Sequence, residues 1–178
     1  VASYYYLIAS LPTLTFDGVS SLTVDKFMAL CQEQLSKSDY RILENLFNKE
    51  EAPLHPFVTN WREYNHSFEK VLTNYRMHRL QRVSGEGQSK SFGEADLVEV
   101  VKAALNSENP LQGELVLLKH RWNFASFLAA SKYFELEVVL TYAIQLEMVQ
   151  RRALFKTQEG TKEFESLFKR LQTTIKSI

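Results

Sequence analysis

The chain is short of the residues that most recognisable chemistry needs. Cys31 is the only cysteine among 178 residues, which excludes an intramolecular disulfide and a cysteine-based zinc site and fits a reducing compartment. The four histidines, His55, His66, His78 and His120, show no His-x-x-x-His spacing, and no metal is expected. There is no Gly-x-Ser-x-Gly elbow and no glycine loop ending in Lys and Ser or Thr. Gly85-Glu86-Gly87 lacks the strand and helix that a nucleotide loop sits between. Adjacent acids such as Glu50 and Glu51 read as exposed loop residues with no special pKa. Neither catalysis nor a cofactor is expected.

Excess charge of one sign is also missing. Lys plus Arg and Asp plus Glu number 21 each, so no global field draws the chain to nucleic acid or an anionic surface. Long apolar runs are absent too. Tyr4 to Leu11 stops at Pro12, and Leu136 to Ile144 contains Glu137; neither reaches the ~20 residues of a membrane-spanning helix or the pattern of a signal peptide.

What remains is a chain with 45% hydrophobic and 12% aromatic residues, enough for a core with a folded radius of about 16 Å. Its periodicity is that of an all-α bundle of six or seven helices in two packed lobes. The aromatics of Tyr4 to Leu11 would suit a strand, but Tyr4, Leu7, Ile8 and Leu11 share one helical stripe, and helix is expected. Thr23 caps a helix running through Leu35, whose face Val24, Phe27, Cys31 and Leu35 makes Cys31 a packed, inert thiol. Ser36 or Ser38 caps the next, with Ile42, Leu43, Leu46 and Phe47 inward. Pro53 and Pro56 mark a loop, and a long helix from about Asn60 to Val83 follows, with Trp61, Tyr64, Phe68, Leu72, Tyr75 and Arg79 along it.

Residues 84–93 hold three of the six glycines and read as a flexible linker between an N-terminal lobe, 1–83, and a C-terminal lobe, 94–178. Glu94 to Leu105 is an amphipathic helix. Asn109-Pro110 opens another, to about Ala130, with Gly113 weakening its first turn. Leu136 to Phe155 follows, and Phe164, Leu167, Phe168, Leu171 and Ile175 stripe a last helix after Gly160. Trp61, Trp122, Phe124, Phe127 and Tyr133 are expected as core fillers.

Two clusters are candidate sites. Arg76, Arg79 and Arg82 follow one edge of the long helix, beside His78. Such an edge suits a solvated face, a protein interface with an acidic partner, or a nucleic-acid groove; without a net positive charge or a reader motif, nucleic acid is not expected. Glu147 and Arg151 lie four apart in the favourable order for a local helix pair. Tyr142 and Leu146 are expected to face the helix that starts at Asn109, with Glu147 and Arg151 at its edge.

The segment Phe134, Leu136-Glu137-Val138-Val139, Tyr142, Glu147 and Arg151 resembles the closing repeat of the family of C subunits (also called d subunits) of V-type and archaeal-type ATPases. Asn109-Pro110-Leu111 with Lys119 and Arg121-Trp122-Asn123-Phe124 is similar to the helix before it. The Tyr-rich start Tyr4 to Leu11 and the helix start Ser38-Asp39-Tyr40 are similar to the family's opening, with Ser10 where an Arg is usual. The likeness covers about the first 48 and the last 70 residues and is nearest to a short bacterial branch associated with V-type ATPase genes. It implies a non-catalytic central-stalk subunit that joins the rotor axle to the membrane proteolipid ring and transmits torque for ion transport, on the cytoplasmic side of the inner membrane through the complex. It also implies that Glu137, Glu147, Arg151 and Arg152 knit their helix to a neighbour or a partner. The other classes in view are an unrelated helical adaptor and, more remotely, a small nucleic-acid-binding domain.

Overall fold

The computed structural model describes residues 3–48, 55–79, 94–155 and 166–167. Among them are seven helices and no strand: α1 (Tyr5–Ser10), α2 (Val24–Gln34), α3 (Lys37–Phe47), α4 (Pro56–Arg79), α5 (Glu94–Leu105), α6 (Pro110–Leu128) and α7 (Leu136–Ala153). The all-α class is as the periodicity indicates.

Three helix starts follow from side-chain capping, which satisfies amide donors that the helix itself leaves over. Thr23 Oγ1 accepts from the Lys26 amide at 3.3 Å, Ser36 Oγ from that of Asp39 at 3.2 Å, and Asn109 Oδ1 from that of Leu111 at 2.9 Å, with Pro110 at the first helical position. The start of α4 differs from expectation. Pro56 is not loop but the first residue of the helix, where its missing N–H and fixed φ cost nothing; His55 Nδ1 takes the Phe57 amide at 3.3 Å. The expected linker, 84–93, and residues 80–83 at the expected end of the long helix lie outside the described residues. So does nearly all of the expected last helix; of its stripe only Leu167 is described, and it is exposed.

The hub of the bundle is α7, which packs on α6, α2 and α3. Val139, Leu140 and Leu146 have no exposed surface, and each such side chain contributes about 1.5–3 kcal/mol by leaving water. The buried Thr141 hydroxyl is satisfied by donating to the Ala125 carbonyl at 3.2 Å, as an enclosed polar group must be. Cys31 is fully enclosed, and burial pushes its thiol up to about 12, so it carries almost no thiolate at neutral pH.

On the other side of α6, α5 packs so closely that a Cβ on Gly113 would stand 2.5 Å from the Ala104 carbonyl oxygen. Gly113 therefore sets the spacing of two helices, a use its poor helix propensity alone does not suggest. Where α4 meets α6, the rings of Tyr64 and Phe124 stack at 3.8 Å and 10°, with Trp61 stacked on Tyr64 at 5.7 Å. Phe127 and Tyr133 are not fillers: they are 71% and 77% exposed. Phe127 lies on the outer side of α6, and Tyr133 is in the turn before α7, where no neighbour among the described residues covers it. The buried residues before and after 84–93 form one continuous core.

Candidate functional site

The last two turns of α7 place neighbouring arginines in different surroundings. Arg152 turns toward the segment between α1 and α2. It donates to the Phe16 carbonyl at 2.9 Å, pairs with Asp17 at 3.1 Å, and lies 5.4 Å over the Phe16 ring. Gln150 reaches the Leu22 carbonyl at 3.4 Å and Tyr142 the Pro12 carbonyl at 2.9 Å. Three side chains of one helix thus fasten, through acceptor sites on its backbone, a segment that has no helix or strand of its own; the Leu22 carbonyl also accepts from Ser20 Oγ at 3.1 Å. Tyr142 therefore does not face α6: its ring packs 5.3 Å from Phe27 on α2. Four residues turn a helix through about 400°, so Tyr142 is offset by about 40° from Leu146, and a long side chain so offset reaches the α2 side. Burial pushes its hydroxyl up to about 12.

Arg151 points the other way, to Glu114 on α6 at 2.9 Å. The expected pair with Glu147 is not formed among the described residues. Glu147 is exposed, and Arg151 meets instead the Glu114 carboxylate across the helix interface. Glu137, near the start of α7, faces Lys132 at 3.6 Å, and Lys132 is also held by Glu135 at 2.5 Å. The four charged α7 positions are thus not one cluster: Arg151 and Arg152 leave opposite sides, and Glu137 is at the far end.

Of the basic edge of α4, Arg76 is exposed and lines a groove of about 200 Å³ between α4, α6 and α7, together with Arg151. Arg79 is the final described residue of α4, and Arg82 lies outside the described residues. The groove also contains Arg121 and Glu114, which sequence reasoning did not single out as a site. The signal was present: Glu114, Leu117, Leu118 and Arg121 repeat at the spacing of one helix face, but that spacing alone does not distinguish a groove from the edge of a core.

A second hollow, about 260 Å³, lies where α1, α3 and the start of α7 meet. Tyr4 donates to Asp39 there, and burial first, then the Asp39 contact, raises the Tyr4 pKa. The surrounding His55, Lys132, Glu135 and Glu137 are ordinary ion-pair and capping residues. Among the described residues no group of three or more His, Cys, Asp or Glu side chains could hold a metal ion, and no helix is long and apolar enough to cross a membrane.

Between α4 and α6 the Tyr64 hydroxyl and His120 Nδ1 share a hydrogen bond of 2.7 Å. Burial raises the Tyr64 pKa and lowers that of His120, with Asp96 partly opposing the latter. Both groups are thereby kept neutral near pH 7, which suits a packing contact. No family model, curated protein or solved structure matches the chain.

Proposed function

We propose that the chain is a non-catalytic coupling subunit of a V-type (archaeal-type) ATPase, linking the rotor axle to the membrane proteolipid ring and passing torque for ion transport. The observation that carries this reading is that the described parts of the two separate stretches resembling the C-subunit family fold as one body. The Tyr4 amide donates to the Phe134 carbonyl at 2.7 Å, and Tyr142, Gln150 and Arg152 hold residues 12–22 from α7. Sequence separations of about 130 residues are closed by these contacts, so the opening and closing motifs act together. A torque-bearing part must be stiff, and a close-packed helical core has low compressibility.

Contact with the membrane is then indirect, through the complex on the cytoplasmic face. Of the residues expected at a partner surface, Arg76, Arg79, Arg82, Glu137, Glu147, Arg151 and Arg152, Arg76 and Arg151 are foremost because they flank one groove, whereas Arg152 is committed to the segment before α2. That groove equally suits a helical adaptor that binds a single peptide or helix. Co-purification separates the two. A tagged copy should recover the rotor axle subunits and proteolipid ring from detergent-solubilised membranes; free protein alone, with the ATPase isolated intact without it, overturns the reading.

A further inference from the structure

Arg121 stands out in the groove between α4, α6 and α7. It is half-buried, its guanidinium carbon lies 5.7 Å over the Trp61 ring and 5.8 Å over that of Phe68, and its Nε is shut off from solvent without a hydrogen-bond partner. Among the described residues it forms no ion pair either. A buried donor left unsatisfied is costly. The two rings hold the fork in place by cation–π attraction, so its orientation does not depend on an anion being there.

We propose that this groove is a carboxylate-recognition slot, and that its occupant is an acidic side chain on a partner protein. Charge favours this occupant. Of the arginines lining the groove, Arg151 is already matched by Glu114, which among the described residues of the lining leaves Arg76 and Arg121 against Glu69. The two Nη groups of a planar guanidinium grip a carboxylate by two parallel hydrogen bonds, a contact that leaves the enclosed Nε of Arg121 out. The size of the hollow, about 200 Å³, is below the range of roughly 300–1,000 Å³ typical of cofactor and metabolite pockets. It suits one or two side chains. Leu72, Leu117 and Leu118 along its walls favour a carboxylate presented on an apolar surface over a free, fully hydrated anion. The slot concerns any acidic protein partner and does not depend on the ATPase assignment.

The probe is acetyl-Leu-Glu-Leu-amide, titrated into the full chain while the arginine Nε–Hε resonance of Arg121 is followed by NMR, assigned by its loss in Arg121→Lys. The glutamate peptide should shift that resonance saturably and bind at least about tenfold more tightly than acetyl-Leu-Gln-Leu-amide, and Arg76→Gln, at an exposed position, should weaken it severalfold. Should Arg121→Lys fail to fold, assignment by backbone-linked NMR and the Arg76→Gln comparison carry the test. Equal binding of the glutamine peptide overturns the proposal, because the groove is then merely apolar. Tighter binding of inorganic phosphate than of the glutamate peptide overturns it in favour of a free-anion site, and an unresponsive Arg121 overturns it outright.

Discussion

The two sides of α7 are joined to the rest of the molecule in different ways. Toward α2 and the N-terminal segment, Tyr142, Gln150 and Arg152 end on backbone carbonyls, and a carbonyl cannot rearrange without moving the chain. Toward α6, Thr141 also ends on a carbonyl, that of Ala125, and Gln145 reaches the Ser126 hydroxyl, but farther along α7 the contact is charge on charge, Arg151 to Glu114, beside Arg121, whose Nε lacks an acceptor, and the exposed Arg76. The first side has its polar groups used up in holding the fold. The second keeps cations in reserve, as a surface that binds something else would. Neighbouring residues 151 and 152 thus differ more than their identical side chains suggest.

The comparison breaks most drastically if the hub itself is opened. Leu146→Ala, at a fully enclosed position, should cost about 2–5 kcal/mol in chemical denaturation; a loss below about 1 kcal/mol would mean that α7 is not what holds both sides. Gly113→Ala should come next, at about 1–3 kcal/mol, since its methyl group meets the α5 backbone 2.5 Å away and helices must part to admit it. Full stability in that variant would show that α5 and α6 are less tightly apposed than described.

The arginines sharpen the contrast. Arg152→Ala should cost about 1–2 kcal/mol, because it strips a carbonyl, a carboxylate and a ring of their partner. Arg151→Ala should cost less than about 1 kcal/mol, its pair with Glu114 being largely exposed and so weakened by solvent. Equal losses would erase the distinction. The gentlest probe is pH. Burial sets the folded pKa of His120 below the ordinary 6.5, so the unfolded chain binds the proton more readily. Its contribution is complete above pH 6.5 and is lost as pH falls through the folded pKa. His120→Gln should flatten the pH dependence of the melting temperature in that window; an unchanged slope would place the titration elsewhere.

The helices were legible in the sequence because their starts are local: Thr23, Ser36 and Asn109 each cap within three residues. So were inward faces such as Phe27, Cys31 and Leu35, which need only the helical period of about 3.6 residues. Pro56 was misread because proline breaks a helix interior but fits its first turn, and the pattern alone does not say which applies. Phe127 and Tyr133 were misplaced because hydrophobicity shows what can be buried, whereas exposure depends on whether a neighbour is present. The partners of Arg151 and Arg152, and the role of Gly113, are set by contacts between distant elements. Glu114 precedes Arg151 by 37 residues and Phe16 precedes Arg152 by 136, and no local rule joins such pairs. The described part of the candidate site was therefore only half visible: Arg76 and Arg151 were in view, and Arg121 between them was not.

The central claim, that one side of α7 holds the fold while the other is open to the proposed partner, is tested most directly by recovery of the proposed rotor partners on equal amounts of folded Arg151→Ala and Arg152→Ala protein. Arg152→Ala, though less stable, should recover the rotor subunits like the unaltered chain, while Arg151→Ala, though stable, should lose most of them. Recovery lost in Arg152→Ala and kept in Arg151→Ala would contradict the claim.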